Sequence, residues 1–151
     1  MRILALDPGS DKCGLAVTDD RGAALWMQIV PRSDILRILP DVITRWQPAV
    51  CVVGNGTQCA SMLRQLADTP VVWRQIDEYR STEEARKLYL QEHPARGWQR
   101  LLPHWLRTPD RPVDDYAALV LARRYIMSGM SESDSDADPD STAAEAGTVS
   151  E

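Results

Sequence analysis

Asp7-Pro8-Gly9-Ser10-Asp11 divides two apolar stretches, Ile3-Leu4-Ala5-Leu6 and Gly14-Leu15-Ala16-Val17-Thr18, and that division constrains how the chain can begin to fold. Pro8 and Gly9 break the first strand sharply, and Gly9 admits a positive φ that a side chain would resist. The second stretch then returns beside the first and turns again at Asp19-Asp20-Arg21-Gly22. A third stretch, residues 23–30, completes an antiparallel meander that Pro31 closes. Asp7 stands at the tip of the first strand, where carboxylate oxygens can hold a hard divalent cation.

The remaining order is helical and parallel in character. Ser33 is placed to cap a helix whose apolar positions Ile35, Leu36, Leu39, Val42, Ile43 and Trp46 recur at the 3.6-residue period, with a kink or break expected at Pro40 and an end at Pro48. Residues 49–53 form a short continuous apolar run, as in a parallel strand covered on both faces. A short helix over 59–67, a strand over 71–76 and a helix capped by Ser81 or Thr82 follow, with Glu83 and Glu84 in its first turn. A last helix is expected over 113–127. The fold class is therefore α/β: a mixed five-stranded sheet, with a three-strand antiparallel meander, two parallel strands and flanking helices.

At 151 residues the chain fits one domain, residues 1–130, followed by a disordered acidic tail over 131–151. That tail holds seven acids and no base, which leaves 15 acids against 17 Lys and Arg in the body. A net charge of −5 thus hides a body of about +2, compatible with a nucleic-acid partner. No apolar run approaches the roughly 20 residues of a membrane span, so no membrane partner is expected. The opening residues do not form a signal peptide, and a cytoplasmic location is the default expectation. Cys13, Cys51 and Cys59 make an odd set without a C-x-x-C pair, which argues against a disulfide framework and a zinc site.

Three acids occupy equivalent places in this plan. Asp7 ends the first strand, Glu78 ends the fifth, and Asp114 opens the last helix. If strands one, four and five are neighbours, Asp7 and Glu78 emerge at the carboxyl-end edge where α/β sheets bind ligands, and the last helix can bring Asp114 there. Clustered carboxylates repel one another and invite divalent ions, which suits phosphodiester cleavage. Each acid also has a plain structural reading: Asp7 satisfying its own turn, Glu78 pairing with Arg80, Asp114 capping its helix.

Residues 1–19 resemble the opening motif of the YqgF family, bacterial proteins with an RNase H-like fold related to the RuvC Holliday-junction resolvases. Ile76-Asp77-Glu78 with Ser81, Thr82 and Ala85 resembles that family's second motif, and Val113-Asp114-Asp115-Tyr116-Ala117-Ala118 its third. The resemblance spans residues 1–127 in order. It implies a metal-dependent endonuclease for structured nucleic acid, either branched DNA or the precursor of 16S ribosomal RNA. Asp7, Glu78 and Asp114 would be its catalytic, metal-binding acids, holding Mg²⁺ or Mn²⁺, two ions in all, with Asp7 as the bridging ligand. Asp115 lies about 100° around the helix from Asp114 and cannot easily face the same metal. Related resolvases work as homodimers that cut both strands in symmetry, and the resemblance implies the same assembly here. The chain departs from the family in its Gly54-Asn55-Gly56-Thr57-Gln58 loop, in Tyr79 and Arg80 after the second acid, and in a longer stretch over 93–112.

That stretch is rich in arginine and tryptophan. Arg96, Arg100, Arg107 and Arg111, with Lys12 and Arg80, are the candidate nucleic-acid contacts, and Trp98, Trp105 and His104 lie among them. The plainer reading of Trp98, Leu101, Leu102, Trp105 and Leu106 is a small amphipathic helix packed on the body. Two alternatives to a nuclease follow from the same residues. One is a nucleic-acid- or protein-binding module that keeps the fold without the chemistry. The other takes Asp7-Pro8-Gly9-Ser10 as the phosphate loop of an actin-like ATPase, a fold that needs two such domains where this chain has length for one.

Overall fold

The computed structural model of the chain describes residues 1–94, 97–103, 109 and 111–133. Its five strands are β1 (Ile3–Pro8), β2 (Lys12–Thr18), β3 (Ala24–Pro31), β4 (Val50–Gly54) and β5 (Trp73–Ile76), in the spatial order β3-β2-β1-β4-β5. β1 runs antiparallel to β2, from Ile3 opposite Thr18 to Pro8 opposite Cys13, and β2 runs antiparallel to β3. β1 is parallel to β4, and β4 to β5. The expected meander and the two parallel strands are both present, and β1 lies at the centre.

Alternation along β1 explains the two layers that cover the sheet. Leu4 and Leu6 pack with Ile35, Leu39 and Val42 of α1 (Ile35–Trp46) and with Cys59, Met62 and Leu66 of α2 (Cys59–Leu66). Ile3 and Ala5 point the other way, into a core formed with Ala85 and Tyr89 of α3 (Ser81–Glu92) and the first half of α4 (Asp114–Ser133). Residues 115–122 of α4 are all buried, because this helix has the sheet on one side and α3 on the other. Asp7 shares the α4 face with Ile3 and Ala5.

Four local expectations need correction. Gly9 does not adopt a positive φ; its place is set by close approach, since a Cβ there would meet the Lys12 carbonyl oxygen. Ser33 does not cap α1 but lies in a 3₁₀ turn over Arg32–Asp34. Pro40 does not break α1: the carbonyl it leaves unbonded belongs to Leu36, and both residues are exposed, so water can replace the lost bond. Neither Ser81 nor Thr82 caps α3; the N-cap is Arg80, at φ 56° in the left-handed region, and Ser81 is buried inside the first turn.

α4 runs to Ser133, beyond its expected end at Met127, and the rest of the expected acidic tail, residues 134–151, lies outside the described residues. Among the described residues no helix is long and apolar enough to cross a membrane.

Candidate active site at the carboxyl end of the sheet

Asp7 sits opposite Gly14 of β2, and Gly14 is what lets α4 begin directly over it. A Cβ at position 14 would collide with the backbone carbonyl of Asp114, so the first turn of α4 rests on bare β2 backbone. This close approach sets Asp114 beside Asp7. Glu78 follows β5 by two residues and enters the same space from the other side. The half-buried Asp7 carboxyl is pushed up to about 7, first by burial and then by the negative charges of Glu78 and Asp114. The three acids expected to meet do share one electrostatic neighbourhood.

Glu78 is held in a cradle of absent side chains. A Cβ on Gly54 would meet its Oε2, and a Cβ on Gly56 would overlap Oε1. Between those glycines, the Asn55 side-chain oxygen accepts a hydrogen bond from the Glu78 amide at 3.2 Å, and the Asn55 amide donates to the Ile76 carbonyl at 3.0 Å. The Glu78 carbonyl accepts from the Ser81 amide at 2.9 Å. The backbone is well tied, yet Oε2 is buried without a hydrogen-bond partner. A buried carboxylate oxygen in that condition is costly unless something positive or protic meets it.

The plain alternative for Glu78, pairing with Arg80, does not describe this arrangement. Glu78 makes no ion pair with Arg80, whose guanidinium lies 5.3 Å from the Tyr79 ring. Among the described residues no ion pair engages Asp7, Glu78 or Asp114. Asp115, one step around the helix from Asp114, is the structural acid of the pair. It is buried, accepts two bonds of 3.3 Å from Arg111 and accepts a third from the Tyr116 amide at 3.0 Å.

The candidate nucleic-acid contacts divide. Lys12 and Arg80 are exposed, flanking Asp7 and Glu78 in sequence, and Arg100 is exposed in a 3₁₀ turn over Gly97–Leu101. Arg111 is instead committed to the body. Besides its fork on Asp115, it lies over the rings of Tyr89 and Tyr116 at 5.1 and 5.5 Å. Arg96, Arg107, His104 and Trp105 lie outside the described residues, as does the side chain of Trp98. Leu101 is 87% exposed, so it does not pack on the body as an amphipathic helix would require.

Two arginines that did not stand out in the sequence hold the acid-bearing loops. Arg32 donates to the Gly9 carbonyl at 2.7 Å, to Gln58 at 2.9 Å and to the Ser61 hydroxyl at 2.7 Å, fastening the turn after Asp7 to α2. Arg124 reaches from α4 to the carbonyls of Asp77 and Tyr79 at 2.6 and 2.7 Å.

Whether this site suits a divalent cation can be judged from its donors. Carboxylate oxygen is the ligand such ions prefer. The raised Asp7 and the unpartnered Oε2 of Glu78 are both groups that a cation would relieve, and the glycine cradle is what admits the Glu78 carboxylate to that position. Among the described residues no three His, Cys, Asp or Glu side chains already form a closed ligand cluster, so the acids share a field without converging on one point.

A five-stranded mixed sheet in this order, with helices on both faces, is an RNase H-like fold. The solved structures it is similar to include Thermus thermophilus RuvC in complex with Holliday junction substrate, at TM-score 0.54 and 17% identity over 86% of this chain and 96% of that one. A second Thermus thermophilus RuvC structure gives TM-score 0.51 and 17% identity over 87% of this chain and 97% of that one. The fowlpox virus resolvase with substrate Holliday junction DNA gives 0.53 and 13% over 86% and 99%. No protein-family model matches the chain, so the YqgF resemblance stands on its motifs alone, and no curated protein matches it by sequence.

Proposed function

We propose that this chain is a metal-dependent endonuclease acting on branched DNA, with Asp7, Glu78 and Asp114 as its acid set. The observation that carries this reading is that the Asp7 carboxyl of β1 lies within the field of two more, from the loop after β5 and the start of α4. Two of the structures similar to this chain are resolvases bound to Holliday junctions, which supports branched DNA over structured RNA as the substrate class.

Mg²⁺ or Mn²⁺ ions bound by the three acids would supply the activation of water and the stabilisation of the leaving oxygen that phosphodiester hydrolysis needs. The chain's own residues do the rest. Asp7, on the central strand, would hold the metal together with the other two acids. Gly14 fixes the height of Asp114 above the sheet, and Gly54 and Gly56 fix the depth of Glu78. Exposed Lys12 and Arg80 offer phosphate contacts beside the acids. Two copies of the chain would be needed to cut both strands of a junction in symmetry.

Purified chain should cleave four-way junctions in Mg²⁺ or Mn²⁺, and a panel with flap, duplex and structured-RNA substrates reads out the preference. Asp7→Asn should abolish cleavage; activity that survives it would sink the proposal. Tight, metal-independent binding without turnover would make the protein a binding module on the same fold. Preferential cutting of the RNA arm would move the substrate to a ribosomal RNA precursor.

A further inference from the structure

The backbone on either side of Glu78 is held by a side chain from far along the chain. One guanidinium nitrogen of Arg124 donates to the Asp77 carbonyl at 2.6 Å. The other donates to the Tyr79 carbonyl at 2.7 Å and to Glu84 Oε1 of α3 at 2.8 Å. The two carbonyls are those immediately before and after the acid, so the planar fork spans Glu78 without touching its carboxylate. On the opposite side, Asn55 holds the Glu78 amide. Tyr79 is turned by an Asp77 side-chain bond to its amide at 3.0 Å, and Arg80 adopts φ 56°. A loop leaving a strand and entering a helix through a left-handed residue would have several routes open to it. The fork selects one.

We infer that Arg124 is a positioning residue for Glu78, locking the acid's loop to α4, the helix that carries Asp114. The inference rests on the nuclease reading for its functional consequence and on geometry alone for the lock. Arg124 is suited to this where lysine is not, because bridging two carbonyls and a carboxylate needs a rigid planar set of donors. Its side chain is 23% exposed, shielded enough for charge-assisted bonds to hold the loop. Glu84, 53% exposed, is the lesser partner, since an ion pair at the surface contributes little. The arrangement makes one element, α4, responsible for two acids: Asp114 directly, and Glu78 through Arg124.

The test compares Arg124→Lys and Arg124→Gln with the unaltered chain, with Glu84→Gln as the control that keeps the fork on its carbonyls. Two measurements are made: junction cleavage, split into kcat and KM, and amide hydrogen exchange of the metal-free protein. Expected is a fall in kcat of about a hundredfold, the scale for misplacing a reacting group by about 1 Å, with KM within about twofold. Exchange should quicken at residues 78–81 and stay unchanged in β1 and β4. Glu84→Gln should remain within about twofold of the unaltered chain in kcat. Unchanged kcat in both Arg124 variants would overturn the inference. So would a raised KM with intact kcat, the mark of a substrate contact, or faster exchange throughout the molecule, the mark of general destabilisation. If the unaltered chain cleaves nothing, the nuclease reading fails by itself. Exchange at 78–81 then decides the lock: local quickening upholds it, and no change removes it.

Discussion

Asp7 should make this protein less stable as the pH rises toward neutrality, and Asp7→Asn should remove that loss. Unfolded, the carboxyl has its ordinary value of 3.8; folded and metal-free, burial, Glu78 and Asp114 raise it to about 7. Between those values the folded chain keeps a proton that the unfolded chain releases, so raising the pH favours unfolding. The stability contribution is whole below about pH 4, is lost as pH climbs to about 7, and is level above that. At about 1.36 kcal/mol per pH unit, the gap sets a ceiling of about 4 kcal/mol on the loss. Asparagine keeps the shape and cannot ionise. Urea unfolding in EDTA at half-unit steps from pH 5 to 8.5 gives the comparison, read as the difference between the two proteins so that other titrating groups cancel. The variant should already lead the unaltered chain by up to about 1.6 kcal/mol at pH 5 and exceed it by up to about 4 kcal/mol at pH 8. The same change should end cleavage, which makes it a trade of activity for stability. A variant no more stable than the unaltered chain at pH 8, with parallel pH profiles, would refute the reasoning.

Gly56→Ala places a methyl where Oε1 of Glu78 lies, so kcat for junction cleavage should drop about a hundredfold while the urea midpoint moves little. Arg111→Ala strips the fork from buried Asp115 and the cation from Tyr89 and Tyr116; unfolding should cost about 2 kcal/mol less at pH 7, without a selective loss of DNA affinity in a binding titration. Leu121→Ala hollows the core beneath the acids and should destabilise by about 2–5 kcal/mol in the same assay. All three cysteines are free and buried, and burial pushes the Cys51 thiol up to about 11, so a thiol reagent should label the native chain slowly and take up three equivalents only in denaturant.

The sheet was legible because its strands differ in ways that short-range chemistry controls. Alternation with Gly and Pro at the first turn marks a hairpin, and the unbroken run before Gly54 marks a strand covered on both faces. Asp7 and Glu78 could be placed because a strand's end is also its functional edge. The 100° step of a helix meant that Asp114 and Asp115 could not both face one metal, the family resemblance with its spacing to Ala117 pointed to Asp114, and the structure gives the two neighbours different partners. What the sequence conceals is contact between distant positions. Arg124 meets residues 45 and 47 places earlier, and no periodicity announces that. Arg111 looks like one more base in a basic stretch until Tyr89 and Tyr116 are seen to enclose it. At Pro40 and Ser81, rules about local preference yielded to solvent exposure and to the loop that precedes α3.

The placement of α4 has a consequence for how the molecule comes into being. The hairpin of β1 and β2 joins residues close in the chain and can form early, as can the crossover to β4. The face of β1 that carries Asp7, however, is covered chiefly by a helix that begins at residue 114. A nascent chain exposes that face, and lacks both the third acid and the lock on the second, until the helix has left the ribosome and docked. If the chain is the nuclease proposed above, its cutting ability would therefore arise in a single late step, and a copy that stops short of α4 would be inert toward DNA.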